Sequence, residues 1–470
     1  MFVCSPKGMW LILACCLGIG CTSLPEPKLT KIDPAVPQHW SDPSTSYSRV
    51  RPWLADFRDE QLQALIKEAQ DNSPGLQATA LRIELAQSRL KALGVSNRPD
   101  FNTSVGTSVN HSYSRLTPDL GDYTQNFNLN FQISWEADLW NRLSNQERSA
   151  ALSIEAQIGD QQAARLALAA NVAKAWFDAI ETKAQLQLLQ QRKANLLDRL
   201  QVVEESFQLN LNDALDVHLA RSDVASQDNR IIGLRLQRTK AIQSLEALLG
   251  RTPSGQLSLP EELPDLPAMP GTGLPSELLQ RRPDLLAVER RLKAADQDAI
   301  VAYKARFPRF SLSSSVGARS EDVENLLDLE SMIWSLGVNL TQPLWNGTEL
   351  EANLEQANIQ TRLVALDYNR VLLNALQEVE AALSAETLLA EQEAAIRRSA
   401  TEARNAEDLA EEQYISGLVS FVTVLEAQRR AFDARSALIQ VRSDRLQNRI
   451  QLHLALGGDF ALPAQPPASG

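Results

Sequence analysis

The chain has 470 residues, 44% apolar and 22% charged, too long for one simple core and too apolar for disorder. Its formal net charge of -12 argues against nucleic acid as a partner, because neutralising phosphate requires Lys and Arg. The four cysteines (Cys4, Cys15, Cys16, Cys21) all lie at the N-terminus and the four histidines are scattered, so no disulfide framework, Cys nucleophile or metal site is expected.

Residues 1–20 read as a lipoprotein signal peptide. Lys7 gives a short positive start, and the apolar run that follows spans only about 10 residues, too short to cross a bilayer as a helix. It ends at Gly18-Ile19-Gly20-Cys21. A small residue before Cys fits lipoprotein cleavage, with Cys21 diacylated as the new N-terminus, although Gly18 stands where such signals usually carry Leu. The alternative is ordinary cleavage near Cys21, leaving a free thiol. Two acyl chains suffice for stable anchoring. Residues 21–58 carry Pro25, Pro27, Pro34, Pro37 and Pro43 and are expected as an extended arm.

From residue 59 the composition changes. Stretches 59–96 and 138–249 are rich in Ala, Leu, Gln, Glu and Arg, with almost no Gly or Pro, and predict helix. The second is far longer than a globular helix, so it holds at least two, with a break near Asn210–Asp213. Between them a β-hairpin is expected over about 101–136. There Phe101, Thr103, Val105, Thr107 and Val109 alternate with polar residues, as do Phe127, Leu129, Phe131, Ile133 and Trp135. Each run is near the ~9–11 residues of a tilted transmembrane strand. A soluble sheet with one wet face alternates identically, so the period alone does not choose.

Residues 252–275 form a linker, in which Pro253, Pro260, Pro264, Pro267 and Pro270 forbid a long helix. Helical composition resumes over 276–305, a weaker hairpin follows over about 308–344, and 347–456 is helical with a break near Ser416–Ser420. Residues 458–470 are a tail. In the last helix Leu425, Phe432, Ile439 and Leu446 recur every seventh residue, and Gln428, Arg435, Arg442 and Arg449 do so on another face. A strict seven-residue period implies supercoiled helices. Aromatics gather at the helix-proximal strand ends (Phe101, Trp135, Trp140, Phe307, Phe310, Trp345), as in the girdle of a membrane barrel.

The chain is an internal duplication. Pro99-Asp100-Phe101 recurs as Pro308-Arg309-Phe310, Val105-Gly106 as Val316-Gly317, Leu139-Trp140-Asn141 as Leu344-Trp345-Asn346, and Leu245 to Gly250 as Leu452 to Gly457. The offset is about 207 residues throughout, which makes residues 59–251 and 276–457 two copies of one unit. The fold expected is mainly α, two repeats each giving long coiled helices plus a β-hairpin. If the strands are transmembrane, open edges are forbidden in hydrocarbon, and four strands are too few to close. Protomers must then share one barrel, of eight strands from two copies or twelve from three.

These residues resemble the outer-membrane efflux protein family, the TolC-like channels, in its OprM/NodT-type lipoprotein branch. Leu274-Pro275-Ser276-Glu277-Leu278-Leu279-Gln280-Arg281-Arg282-Pro283-Asp284 is similar to the branch's linker-to-helix motif, and Ala305-Arg306-Phe307-Pro308 to its strand entry. Gln413-Tyr414-Ile415-Ser416-Gly417, Val424-Leu425-Glu426-Ala427-Gln428-Arg429 and Ala455-Leu456-Gly457-Gly458 resemble its C-terminal motifs, and Ser134-Trp135-Glu136-Ala137-Asp138-Leu139-Trp140 its strand exit. The resemblance implies a homotrimer with a transmembrane 12-stranded β-barrel on a helical periplasmic tunnel, held in outer-membrane lipid. It also implies coupling to an inner-membrane transporter through a periplasmic adaptor, and a periplasmic tip that opens when the adaptor docks.

By that resemblance the tip lies near 414–429 and its repeat partner near 207–221. The hydrophobic gate position falls on Val422 and the charged positions on Glu426 and Arg429, where relatives often carry Asp in place of Glu426. Tyr414 and Gly417 take the tip tyrosine and turn glycine positions. In the first copy Phe207 and Asn210 stand there, so the hydroxyl is lost while Asn still tolerates a left-handed backbone. Asp213 and Asp216 would add an acidic constriction. On helix geometry alone, Glu426 and Arg429 are an ordinary surface pair. The competing readings are a periplasmic lipid-anchored adaptor, a coiled-coil scaffold, and a lipid-anchored envelope enzyme. Against the last, no nucleophile–base pair or phosphate loop stands out, and neither catalysis nor a cofactor is expected.

Overall fold

The computed structural model describes residues 36–41, 53–114, 117–210, 213–343 and 347–458. The signal peptide, Cys21, most of the arm, Trp345 and the tail beyond residue 458 lie outside the described residues.

In chain order the elements are α1 (Trp53–Asp56), α2 (Glu60–Asn72), α3 (Pro74–Ser96), β1 (Asp100–Ser114), β2 (Thr117–Ala137), α4 (Arg142–Gln208) and α5 (Ala214–Leu248). After the linker come α6 (Leu278–Arg281), α7 (Pro283–Lys304), β3 (Arg309–Ser320), β4 (Met332–Thr341), α8 (Gly347–Ile415) and α9 (Phe421–Ala455). Helices α4 and α8 run 67 and 69 residues, each about 100 Å at 1.5 Å per residue. Their breaks fall where expected. The first helical stretch divides where no break was expected, at Ser73. Pro74 disfavours helical backbone in the residue before it, and Ser73 sits at φ -64, ψ 116. No helix among the described residues is long and apolar enough to cross a membrane.

The chain divides into two compact units. One comprises the described residues of 86–153 and 291–366. It holds a four-stranded antiparallel sheet in the order β1-β2-β3-β4. The register aligns side chains in rows across all four strands. Thr103, Phe131, Val316 and Trp334 share one row, and Phe101, Ile133, Ser314 and Leu336 another. The alternate rows are polar, as in Asn102, Gln132, Ser315 and Ser335. The apolar face is open: Val105 is 77%, Trp334 78% and Val338 73% exposed. At the strand ends Trp135 Nε1 donates to the Asn97 carbonyl at 3.2 Å, and Trp140 Nε1 to that of Pro308 at 2.8 Å. The strand-exit motif is a helix cap, since Asp138 accepts from the backbone N–H of Leu143 and Ser144 at the start of α4.

The other unit comprises the described residues of 36–85, 154–290 and 367–458. Its core joins α2, α4, α5, the linker and α9 through Leu62, Trp176, Phe177, Ile242, Leu245, Leu259, Leu446 and Ile450. Each such side chain contributes about 1.5–3 kcal/mol by leaving water. The one polar atom of Trp176 is satisfied, its Nε1 donating to Asp59 Oδ2 at 2.8 Å. Arg282 of the linker-to-helix motif is buried between partners. It bonds Asp284 at 2.7 Å, Glu378 at 2.7 Å and the Ala455 carbonyl at 3.2 Å.

The heptad of polar residues on α9 holds this unit together. Arg435 pairs with Glu407 of α8 at 3.0 Å and Arg442 with Asp265 of the linker at 3.8 Å. Arg449, 3% exposed, pairs with Glu386 of α8 at 2.7 Å and also donates to the Pro267 carbonyl. The period that marks a supercoil thus also marks a row of ties from α9 to α8 and the linker.

Candidate functional site at the helix turns

The α4–α5 and α8–α9 turns both need one residue in left-handed backbone, and each has it: Asn210 at φ 56 and Gly417 at φ 73. The Asn210 N–H bonds the Phe207 carbonyl at 3.0 Å, and the Gly417 N–H bonds that of Tyr414 at 2.9 Å. A further Leu418 N–H to Gln413 carbonyl bond at 2.8 Å completes a Schellman closure in the second turn. The first-copy turn therefore survives the replacement of Gly by Asn.

A small apolar cluster brings the two turns together. Val203, Val217, Ala220 and Phe421 are buried in it, and Leu200, Tyr414 and Leu425 pack around them. The Tyr414 and Phe421 rings lie 5.7 Å apart at 50°. Phe421 is not flagged by the family motifs. Its signal was its place, the first helical residue after the cap Ser420, whose Oγ accepts from the Thr423 N–H at 3.4 Å. Asp213 precedes the first turn of α5 without a side-chain cap bond, and Asp216 lies in that turn.

Glu426 is held by two guanidiniums. Arg429 donates to it twice, at 3.0 and 2.9 Å, and Arg430 once, at 2.9 Å. The Arg429 bonds, then those of Arg430, lower the Glu426 carboxyl pKa to about 2. Arg430 was missed, though its i,i+4 spacing from Glu426 is a readable signal. Arg429 also approaches Asp433 at 3.7 Å. The first copy has its own exposed pair near its turn, Arg221 with Glu204 at 2.7 Å. Among the described residues no hydrogen bond or ion pair joins Asp213 or Asp216 to Glu426 or Arg429. Val422 is 55% exposed and Leu418 74%, so the turns present an apolar surface beside a charged one.

The sequence pattern of the outer membrane efflux protein family matches residues 65–251 and 274–458, one stretch in each copy. The chain belongs to the outer membrane efflux protein family. This efflux protein is 30% identical to the pyoverdine export outer membrane protein OpmQ of Pseudomonas aeruginosa, over 97% of this chain and 98% of that one. It is 29% identical to the toluene efflux pump outer membrane protein TtgF of Pseudomonas putida, over 89% of this chain and 87% of that one. Its fold superposes on the solved structure of CusC with a TM-score of 0.84 at 26% identity, covering 92% of this chain and 99% of that one. Membership in a family of outer-membrane efflux channels sets aside the adaptor and scaffold readings.

Proposed function

We propose that three copies of this chain close one 12-stranded barrel, each giving β1–β4, and continue as a helical tunnel into the periplasm. The observation that carries this reading is the sheet. Its apolar face lies open and, among the described residues, β1 and β4 have unpaired outer edges, an arrangement hydrocarbon forbids unless neighbouring copies supply the missing partners. The protein acts as a passive conduit across periplasm and outer membrane, working with a periplasmic adaptor and an inner-membrane transporter. Cys21 carries the lipid anchor. Residues 1–20 are removed, residues 59–251 and 276–457 are the repeats, and 252–275 joins them.

In this reading the turns form the gate. Val422 supplies an apolar ring, Glu426 and Arg429 a charged ring, and Asp213 and Asp216 an acidic constriction. Tyr414 and Gly417 shape the turn behind them. Relatives named for pyoverdine export and toluene efflux are about equally similar to this chain, which supports a duct that does not itself select the cargo. The test is single-channel conductance in planar bilayers. Replacing Glu426 and Arg429 together by Ala is expected to raise the conductance of the purified channel; an unchanged conductance contradicts the gate role.

A further inference from the structure

A cavity lies between α4, α8 and α9, lined by Gln191, Arg192, Asn195, Glu407, Phe432 and Arg435 among others. The Arg192 guanidinium carbon sits 4.5 Å from the centre of the Phe432 ring. Its Nε and Nη1 are shielded from solvent, and neither has an acceptor among the described residues. Glu407, the only carboxylate of the lining, already accepts from Arg435 at 3.0 Å. Asp433, Asp223 and Glu407 attract Arg192 only through space, and Arg230 repels it.

The lining therefore carries two guanidiniums and one carboxylate, and that carboxylate is hydrogen-bonded to Arg435 and not to Arg192. A guanidinium cannot relieve its burial by losing a proton. Buried donors without acceptors are costly, and native proteins satisfy them with water or an ion. Two guanidiniums in the lining, with neither Nε nor Nη1 of Arg192 accepted by it, suit a charge-assisted bond to an anion better than one to water.

We propose that this cavity binds a small monovalent anion, a halide or a short carboxylate, on Nε and Nη1 of Arg192. Bound there, it ties α4 of the first copy to α8 and α9 of the second. The site is separate from the turns and from the sheet.

The test uses the full-length protein in detergent, titrated with sodium bromide or sodium acetate at constant ionic strength held by a bulky sulfonate. A saturable rise in unfolding temperature is expected, as for any ligand that binds only the folded state. A response to bromide alone assigns a halide, and one to acetate alone a carboxylate. Arg192→Gln is expected to abolish the saturable component. Asn195→Asp places a fixed carboxylate in the same cavity and serves if the first variant fails to assemble. It is expected to raise the unfolding temperature without added anion and to remove the response. Crystals grown in bromide are expected to show an anomalous peak at Arg192 if the halide arm responds. No saturable response in the wild type, or one retained in Asn195→Asp, overturns the proposal.

Discussion

The two copies end their last helices alike but turn at the tip differently, and the space around each turn explains why. At the helix ends, Gly250 and Gly457 both adopt left-handed backbone, at φ 74 and φ 89. Each is also pressed by a neighbour. A Cβ on Gly250 would meet the Asn72 carbonyl oxygen at 3.0 Å, and one on Gly457 the Arg281 carbonyl oxygen at 3.0 Å. At the tips a Cβ on Gly417 would meet nothing within 4 Å, and its counterpart in the first copy is Asn210. Glycine has been replaced where only the backbone angle matters and kept in both copies where angle and space matter together.

Substitutions sharpen that contrast. Gly457→Ala should cost roughly 2–4 kcal/mol, left-handed strain plus a clash with backbone that cannot yield. Gly457→Asn should be no better, because the clash remains. Chemical denaturation of the purified protein measures both. A loss under about 1 kcal/mol would mean that the α6 backbone moves aside.

A second difference lies four residues before those glycines. Glu246 in the first copy is matched by His453 in the second. Burial pushes the Glu246 carboxyl up, but bonds from Ser254, Gly255 and Gln256 outweigh it and hold it below the ordinary range. His453 is lowered from 6.5 to about 4 by burial, with the Arg449 charge adding to it. A histidine depressed in the fold favours the folded state when neutral. That stability is complete above pH 6.5 and declines as pH falls toward about 4. His453→Leu should flatten the fall in unfolding temperature across this window. A slope unchanged in the variant would assign the acid sensitivity to other groups.

Smaller effects belong to the tips. Gly417→Asn reproduces the first-copy turn and should cost about 1 kcal/mol or less, with assembly unchanged. If it proves as damaging as Gly457→Asn, open space is not what permits the exchange. Glu426, with its carboxyl lowered to about 2, keeps its Arg partners at all pH above 4.5 and loses them as pH falls through about 2. Hydrogen exchange at the start of α9 should therefore be flat above pH 4.5, once the chemical rate is removed, and rise only in stronger acid. A step at neutral pH would show that another group governs the tip.

Most of the fold was legible because its signals are periodic. Helix composition, the two breaks, both hairpins and the duplication stand in the sequence, since each is a local pattern repeated often enough to read. The outer half of the first hairpin was not. Asn110 pairs with Thr124 and His111 with Tyr123 in a continuous ladder, but in residues 110–126 the few apolar and aromatic side chains (Tyr113, Leu116, Leu120, Tyr123) do not alternate with polar ones, so nothing marks them as strand. The Ser73 break was hidden in a helix-rich stretch although Pro74 announces it. Of the site, the Glu426–Arg429 pair follows from helix spacing. The cluster of Phe421 with Val203 and Val217 and the Arg192 cavity do not, because they join helices some 200 residues apart in sequence, which periodicity within one helix cannot register.

The most direct test of the shared barrel is the mass of the detergent-extracted outer-membrane protein, from light scattering corrected for bound detergent. Three protomers per particle is the predicted result, since only neighbouring copies can cover the edges of β1 and β4. A folded monomer would contradict it, because a four-stranded sheet with open edges cannot stand in a membrane.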